Sequence, residues 1–511
     1  MKFKERLKMK LKHLSTAMIL ATLPATGVFA AALDRSGQSM SAFFQPGNYF
    51  EAGISVLDPD VAGKEAGSSA TRRDIGDMAN DYYFPSAALK LQINDQFSFG
   101  LLYDQPFGAD AEYSGNNVFV SNPGSDTILS QKALGDLATS SIQKLVQASG
   151  SAFTPALIEV TKVTGGDPTK PTQTEILGAL QQVAAGGNTT VGAGLTALQK
   201  TQAAINAANN YLGTGGTKVK VDTQNLSFVF GYQPTKNFNF YAGPVLQTVK
   251  GNVSLRGQAY SLYNGYDANI KETTGAGWLA GAAYQIPEIA LRASVTYRSE
   301  IDHKVNIDEN LSILNFPGLT SVLAGLDVPA SKLQAINSSG KTTITTPQSV
   351  NLDFQTGIMA DTVAFANVRW VNWKDFSIQP YKFGKVSEAV GGLIGRPNGF
   401  NLVEYSDDQW SVNAGVGRKL NDKWAGNVSV GWDSGAGNPV TTLGPTEGYW
   451  NVGLGVQYSP TPQTFIAGGV KYFWLGDAKA QTGAQAGSDE YVADFSDNNA
   501  IAYGLKLGYK F

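Results

Sequence analysis

Little in this 511-residue chain is equipped for covalent chemistry. It has no cysteine, which excludes a thiolate nucleophile, a disulfide framework and any cysteine metal site. Of its two histidines, His13 falls in a segment read below as a removable leader, so a Ser/His/Asp triad would have to be built on His303 alone. Neither G-x-S-x-G nor H-E-x-x-H occurs. Adjacent acids such as Asp407 and Asp408, or Glu300 near Asp302, are ordinary features of exposed loops. The expectation is therefore no enzyme, no catalytic residue, no metal and no cofactor. What the residue types do offer is recognition. Arg292, Arg298, Arg369, Lys250 and Arg256 are scattered through strands whose inner faces otherwise read as Gly, Ser, Asn and Ala. Such cations could hold an anionic head while apolar segments hold a tail. They could equally pair with Glu300 and neighbouring acids and only stabilise an interior.

The elements that would position them are strands. Residues 97–103 alternate, with Phe97, Phe99, Leu101 and Tyr103 on one face and Ser98, Gly100 and Leu102 on the other. The pattern breaks at Pro106-Phe107-Gly108 and then resumes. Proline cannot donate to a ladder and glycine tolerates unusual backbone angles, so this reads as a deliberate interruption in a barrel wall. The same alternation recurs from Tyr49 onward and through residues 226–232, 238–256, 278–284, 289–300, 350–359, 363–383, 409–419, 424–432, 449–458, 464–474 and 491–511. On the strand at 289–297 one face is Ile, Leu, Ala, Val and Tyr while the other carries Arg292, Ser294, Thr296 and Arg298, a contrast of lipid-facing and water-facing sides. Aromatic residues cluster near strand ends, and short turns fall near Asn94, Pro234, Pro287, Ala360, Asn421 and Pro460.

Residues 1–30 differ in kind. Six basic residues precede a mostly apolar run and Val28-Phe29-Ala30 resembles a cleavage site, the pattern of a secretory signal. Losing those six cations together with Glu5 takes the net charge from −3 to −8, which gives no support to nucleic-acid binding. Residues 31–48 are too irregular for a strand, with Phe43 and Phe44 ahead of Pro46-Gly47-Asn48, and form either a loose tail or a plug in a lumen. Residues 121–217 are rich in Ala, Gln, Ser, Thr and Gly, and 126–148, 173–185 and 195–212 favour helix. Residues 310–341 form a second long loop, whose apolar stretch 311–328 would be odd if simply solvated. The chain is thus read as all-β: a barrel of about fourteen antiparallel strands in the outer membrane over 49–511, with a short hatch and a helical extracellular loop at 121–217.

Several segments resemble the FadL-type outer-membrane transporters of long-chain fatty acids and other hydrophobic compounds. They are residues 50–63 (FEAGISVLDPDVAG), 101–113 with its QPFGA core, 295–301 (VTYRSEI), the pattern of Trp370, Trp373 and Phe376, and the final strand. The resemblance implies a fourteen-stranded barrel plugged by an amino-terminal hatch (here Phe43, Phe44, Pro46, Gly47 and Asn48), with passive uptake of a hydrophobic ligand and sideways release where the third strand kinks, at Pro106, Phe107 and Gly108. An anionic head would be oriented by Lys250, Arg256, Arg298 or Lys382, among which the sequence does not choose. The implied partners are a long-chain fatty acid or other hydrophobic small molecule and outer-membrane lipid, with the chain acting as a monomer. An aromatic hydrocarbon is the alternative cargo, and a surface interaction role for the helical loop is the alternative class. The chain departs from the family pattern in a shorter hatch without an Asn-Pro-Ala motif. It also places the large insertion between the third and fourth strands, so the outer capture site would be built from 121–217 with 310–341.

Overall fold

The computed structural model describes residues 33–326 and 328–511; the leader expected at 1–30 and the first two residues of the segment 31–48 lie outside the described residues. The wall begins with β1 (Tyr49–Asp60), β2 (Tyr82–Gln92), β3 (Phe97–Asp104) and β4 (Gly108–Glu112). It continues with β5 (Lys218–Tyr232), β6 (Phe238–Leu255), β7 (Tyr266–Ile286), β8 (Leu291–Arg298), β9 (Ile301–Val305) and β10 (Ile307–Leu311). After β11 (Thr342–Thr346) come β12 (Ser349–Met359), β13 (Thr362–Val371), β14 (Gln409–Lys419) and β15 (Trp424–Asp433). The wall ends with β16 (Tyr449–Tyr458), β17 (Thr464–Leu475) and β18 (Asn499–Lys510). Consecutive staves pair antiparallel, β9 and β11 pair only with each other, and β1 meets β18 from Tyr49↔Lys510 to Asp60↔Asn499, which closes the sheet. β3 with β4, and β8 with β10, are halves of one stave each, so the sixteen segments of the main sheet make fourteen staves.

Closure satisfies the backbone hydrogen bonds that hydrocarbon cannot. Alternation then decides which side chains meet lipid: Phe240, Leu246, Trp278, Leu454 and Leu507 are exposed on the outside, whereas Ser227, Thr296, Asn351 and Gln355 are buried inside. Aromatic pairs mark the end with the short turns, among them Phe97 with Tyr232, Phe238 with Tyr284 and Trp424 with Tyr458. Trp278 with Tyr297 and Trp432 with Trp450 stand toward the other end. The predicted short turns all join consecutive staves at the same end.

The opposite end carries the loops. Between β4 and β5 lie α1 (Gln131–Ser149), α2 (Phe153–Thr164), α3 (Gln173–Ala185) and α4 (Thr189–Ala208). The predicted helical stretches are present, and α2 is an addition. α3 begins with a reciprocal cap, Thr172 accepting from the Glu175 N–H while the Glu175 carboxylate accepts from the Thr172 N–H. The apolar run at 311–328 forms α5 (Leu319–Gly325) and its flanks, and Leu311, Ile313, Leu319, Val322, Leu323 and Val328 are all buried in one cluster with residues of the other loops. After α6 (Ala330–Ala335), α7 (Tyr381–Val390) replaces part of the strand expected over 363–383. β13 stops at Val371 because Trp373 turns inward, fully buried, its indole N–H donating to Gln409 Oε1 at 2.7 Å. Pro380 then precedes the first helical residue. The strand expected over 491–511 is likewise broken before β18, where Asp497 has φ 58°.

Candidate functional site

The site is assembled where the segment preceding β1 meets the interrupted third stave. β3 pairs with β2 only from Ala87↔Tyr103 to Gln92↔Ser98, whereas β1 pairs with β2 up to Tyr82. β4 pairs with β5 but not with β2. Contact with the second stave's chain returns at the Ala79–Ala111 bridge. A window therefore opens between Tyr82–Ser86 and the kink. Its backbone groups are not left bare. Pro106 O accepts from Arg35 N at 2.6 Å, Gly108 N donates to Leu33 O at 2.9 Å, and Asp34 bridges Phe107. On the other side Thr223 Oγ1 accepts from Phe107 N at 2.9 Å and donates to Phe107 O at 2.6 Å. The proline supplies a carbonyl without an N–H that would need a partner, and the first described residues of the chain take the place of a β2 ladder.

The rest of that segment is a plug. Phe43 is fully buried in a slot made by two glycines: a Cβ on Gly100 would stand 2.6 Å, and one on Gly231 2.7 Å, from its ring. Phe44 packs against Tyr241, and the Arg292 guanidinium lies 4.8 Å above the Phe44 ring. Pro46 and Gly47 are exposed, and Asn48 Oδ1 accepts from Gln92 N at 2.8 Å. Buried charges fasten the plug. Arg369 pairs with Asp34 at 2.6 Å and also donates to Asn351 Oδ1 at 2.7 Å and Gln38 Oε1 at 3.1 Å. Arg298 donates to Gln38 O at 3.2 Å, Lys90 to Gln45 O at 2.8 Å, and Asn351 Nδ2 to Gly37 O at 2.8 Å.

One cavity lies beside this plug and another among the loops. The inner one, about 180 Å³, lies between the plug and the wall and is lined by Ser36, Gln38, Phe44, Asp104, Arg292, Arg298, Asp353 and Lys506. It extends to Pro85–Ala87 and Tyr103–Gln105, the two edges of the window. The outer one, about 650 Å³, lies among the loops and is lined mainly by Ile128, Leu255, Tyr260, Leu262, Tyr263, Leu323, Leu326, Phe383, Phe400, Leu402 and Leu443, with Lys132, Asp136, Arg396 and Glu490 at its polar edge. Its two tyrosine hydroxyls are consumed internally: Tyr260 OH meets Thr442 Oγ1 at 2.9 Å and Tyr263 OH donates to Phe383 O at 2.8 Å. Burial pushes both phenols above their usual pKa, so they stay neutral. Below this cavity Phe107 packs edge-on against Trp373 at 5.5 Å, which brings the kink and the Trp370/Trp373/Phe376 pattern together.

The four cations expected to hold a head group are not brought together. Lys250 lies on the same face of β6 as Phe240 and Leu246, so unbroken alternation from Phe238 to Leu255 places it outside the barrel and not inward as expected. Arg256 is committed to Asp267 at 2.7 Å and to three backbone carbonyls. Lys382 sits in the first turn of α7, whose N–H groups at 382 and 383 are capped by Glu309 at 2.8 Å, and lines neither cavity. Arg298 does line the inner cavity, where Arg292 joins it. The outer lining at 258–263 and 381–402 was not anticipated, since its residues come from separate loops and are apolar without periodicity. Among the described residues no cluster of His, Asp and Glu is arranged to hold a metal.

The profile of the family described as outer membrane protein transport protein (OMPP1/FadL/TodX) matches residues 117–511. No curated protein sequence matches the chain. Among solved structures, a Pseudomonas aeruginosa FadL homologue aligns at 13% identity over 92% of each chain, with a TM-score of 0.57. The TodX deltaS2S3 mutant monoaromatic hydrocarbon channel aligns at 11% identity over 96% of this chain and 100% of that one, with a TM-score of 0.51.

Proposed function

This chain belongs to the OMPP1/FadL/TodX family of outer membrane transport proteins, and from that premise we propose that it takes up long-chain fatty acids or similar amphiphiles passively across the outer membrane. The loop end faces the exterior and collects the molecule in the 650 Å³ cavity, whose lining is mainly apolar and whose Tyr260 and Tyr263 hydroxyls are already bonded. Each methylene buried there contributes roughly 0.8 kcal/mol, so chain length sets affinity. The molecule then passes Phe107 and Trp373 to the inner cavity, where Arg298 and Arg292 orient its carboxylate. It leaves sideways through the window at Pro106–Gly108 once Leu33–Ser36 withdraws. One observation carries this reading: the inner cavity touches both edges of a wall window whose ladder position is filled by Leu33–Ser36. An aromatic hydrocarbon is the second reading, favoured by the ring cluster of Tyr260, Tyr263, Phe383 and Phe400 in the outer lining.

Uptake of labelled oleate by cells lacking the gene, with and without its restoration, tests the cargo. Restored uptake is expected; no difference with folded protein in the outer membrane would transfer the question to a panel of aromatic compounds. Ser86→Trp, which fills the window from the β2 edge, is expected to cut uptake several-fold without unfolding the barrel. Unchanged uptake in that variant would overturn the lateral route.

A further inference from the structure

The third stave is not the only one interrupted. β7 pairs with β8 from Ile286↔Leu291 to Leu279↔Arg298 and with β10 from Ile270↔Ile307 to Tyr266↔Leu311, and no ladder joins the residues in between. Over that interval β9 pairs instead with β11 and folds over the inner face of β7. Two glycines permit it: a Cβ on Gly275 or Gly277 would stand 2.6 Å from the Ile301 side chain. The break lies on the same cross-strand row as the kink, because Thr223, which binds both backbone groups of Phe107, pairs with Val249, and Val249 pairs with Thr273. Its lower border is the outward pair Trp278 and Tyr297, and beyond it stand the exposed charges of Lys271, Glu272, Asp302 and Lys304. Open sheet edges are not tolerated against hydrocarbon, so this edge belongs at the interface or along a passage. Behind it a void of about 10 Å³, enough for one water, runs from Trp278 and Ser299 to Gln38 and Phe107. Arg298 Nε and Asn225 Nδ2 are buried there without a partner. Two unpaired donors at the end of a wall break call for an acceptor oxygen.

We propose that this interval is a second lateral port, which admits an amphiphile carrying an acceptor head group, a carboxylate or a lipid ester or phosphate, from the outer membrane interface to the plug. It is closed here by Ile301–Val305, as the first is closed by Leu33–Ser36. Its role for cargo rests on the fatty-acid reading above. A genetically encoded photo-crosslinker placed singly at Ala276, at Tyr83 on the first window or at Leu454 on the intact wall, in full-length protein in nanodiscs, tests it with labelled palmitate and separately with a labelled phospholipid. Palmitate labelling at Ala276 at least fivefold above Leu454, rising further with Ile301→Ala, is the expected result. Labelling at Tyr83 but not at Ala276 overturns the second port and leaves the first. Labelling at neither overturns the port together with the fatty-acid reading. Equal labelling of Ala276 and Leu454 by both probes overturns it as plain lipid contact, whereas selective labelling of Ala276 by the phospholipid alone supports a port and assigns it to membrane lipid.

Discussion

The two cavities are built from opposite materials. The outer one is made by loops that bury rings and aliphatic chains against each other, with charges left at the edge and tyrosine hydroxyls turned inward to internal acceptors. The inner one is made by a plug held through guanidinium, ammonium and carboxylate groups that are themselves buried. Apolar surface binds without regard to direction, which suits capture. Buried ion pairs are satisfied in one geometry only and are costly when half removed, which suits a part that must be either seated or displaced. Under the proposed function, the contrast assigns affinity and gating to different regions.

Substitutions can break that separation or sharpen it. The largest effect is expected from Asp34→Ala, which strands Arg369 in the interior; losing one partner of a buried pair costs about 3–5 kcal/mol. Amide exchange across 33–45 should rise steeply while ligand affinity at the loop end stays unchanged. Unaltered exchange would show that the ion pair does not fasten the plug. Next is Glu447, in the loop before β16, whose carboxyl is pushed up to about 7, first by burial and then by the neighbouring Asp433, against an opposing bond from Gly437 N–H. A raised carboxyl pKa means that the folded state holds the proton longer. Stability of the loop end is therefore greatest below about 4.5, falls as pH rises toward 7 and is level above it, by about 3 kcal/mol at most. Glu447→Gln should flatten that profile, as read by the pH dependence of thermal unfolding.

Smaller still, Leu323→Ala in the outer lining is expected to weaken binding of a fatty acid roughly tenfold, about 1.4 kcal/mol, without altering exchange in the plug. Equilibrium titration with a fluorescent fatty acid measures it; a simultaneous rise in plug exchange would mean that the regions are coupled. The smallest effect belongs to Lys132→Gln, whose partner Glu490 at 3.1 Å is also well exposed. Surface pairs of this kind contribute about 0–1 kcal/mol, and the titration should hardly change.

Much of the fold was legible because a barrel wall is a local pattern. Alternation at 409–419 and 449–458 matches β14 and β16 residue for residue, and Pro106 falls between the end of β3 and the start of β4, a break readable because proline's missing donor is a property of one residue. The site was less legible because its contacts are remote. Nothing near Asp34 points to Arg369, 335 positions away, and only two glycines on adjacent staves, Gly100 and Gly231, which are two residues out of register, hint at a ring seated over both. Lys250 was misplaced by charge alone, although its own strand's alternation put it outside. The break in the seventh stave escaped because β8 and β10 alternate well on either side of it, and the shift of face between Arg298 and Ile301 is a change of parity that composition does not register.

The seam between β1 and β18 sets the order in which this molecule can be built. Its twelve pairs join the start of the wall to its end, so the final strand must be made before the first can find its mate, and such distant pairing is slow. The plug leads straight into Tyr49 and is threaded through the enclosed space. A plug tethered at Tyr49 lies beside that seam, so a variant with a weakened plug is expected to betray itself first as a delay in assembly.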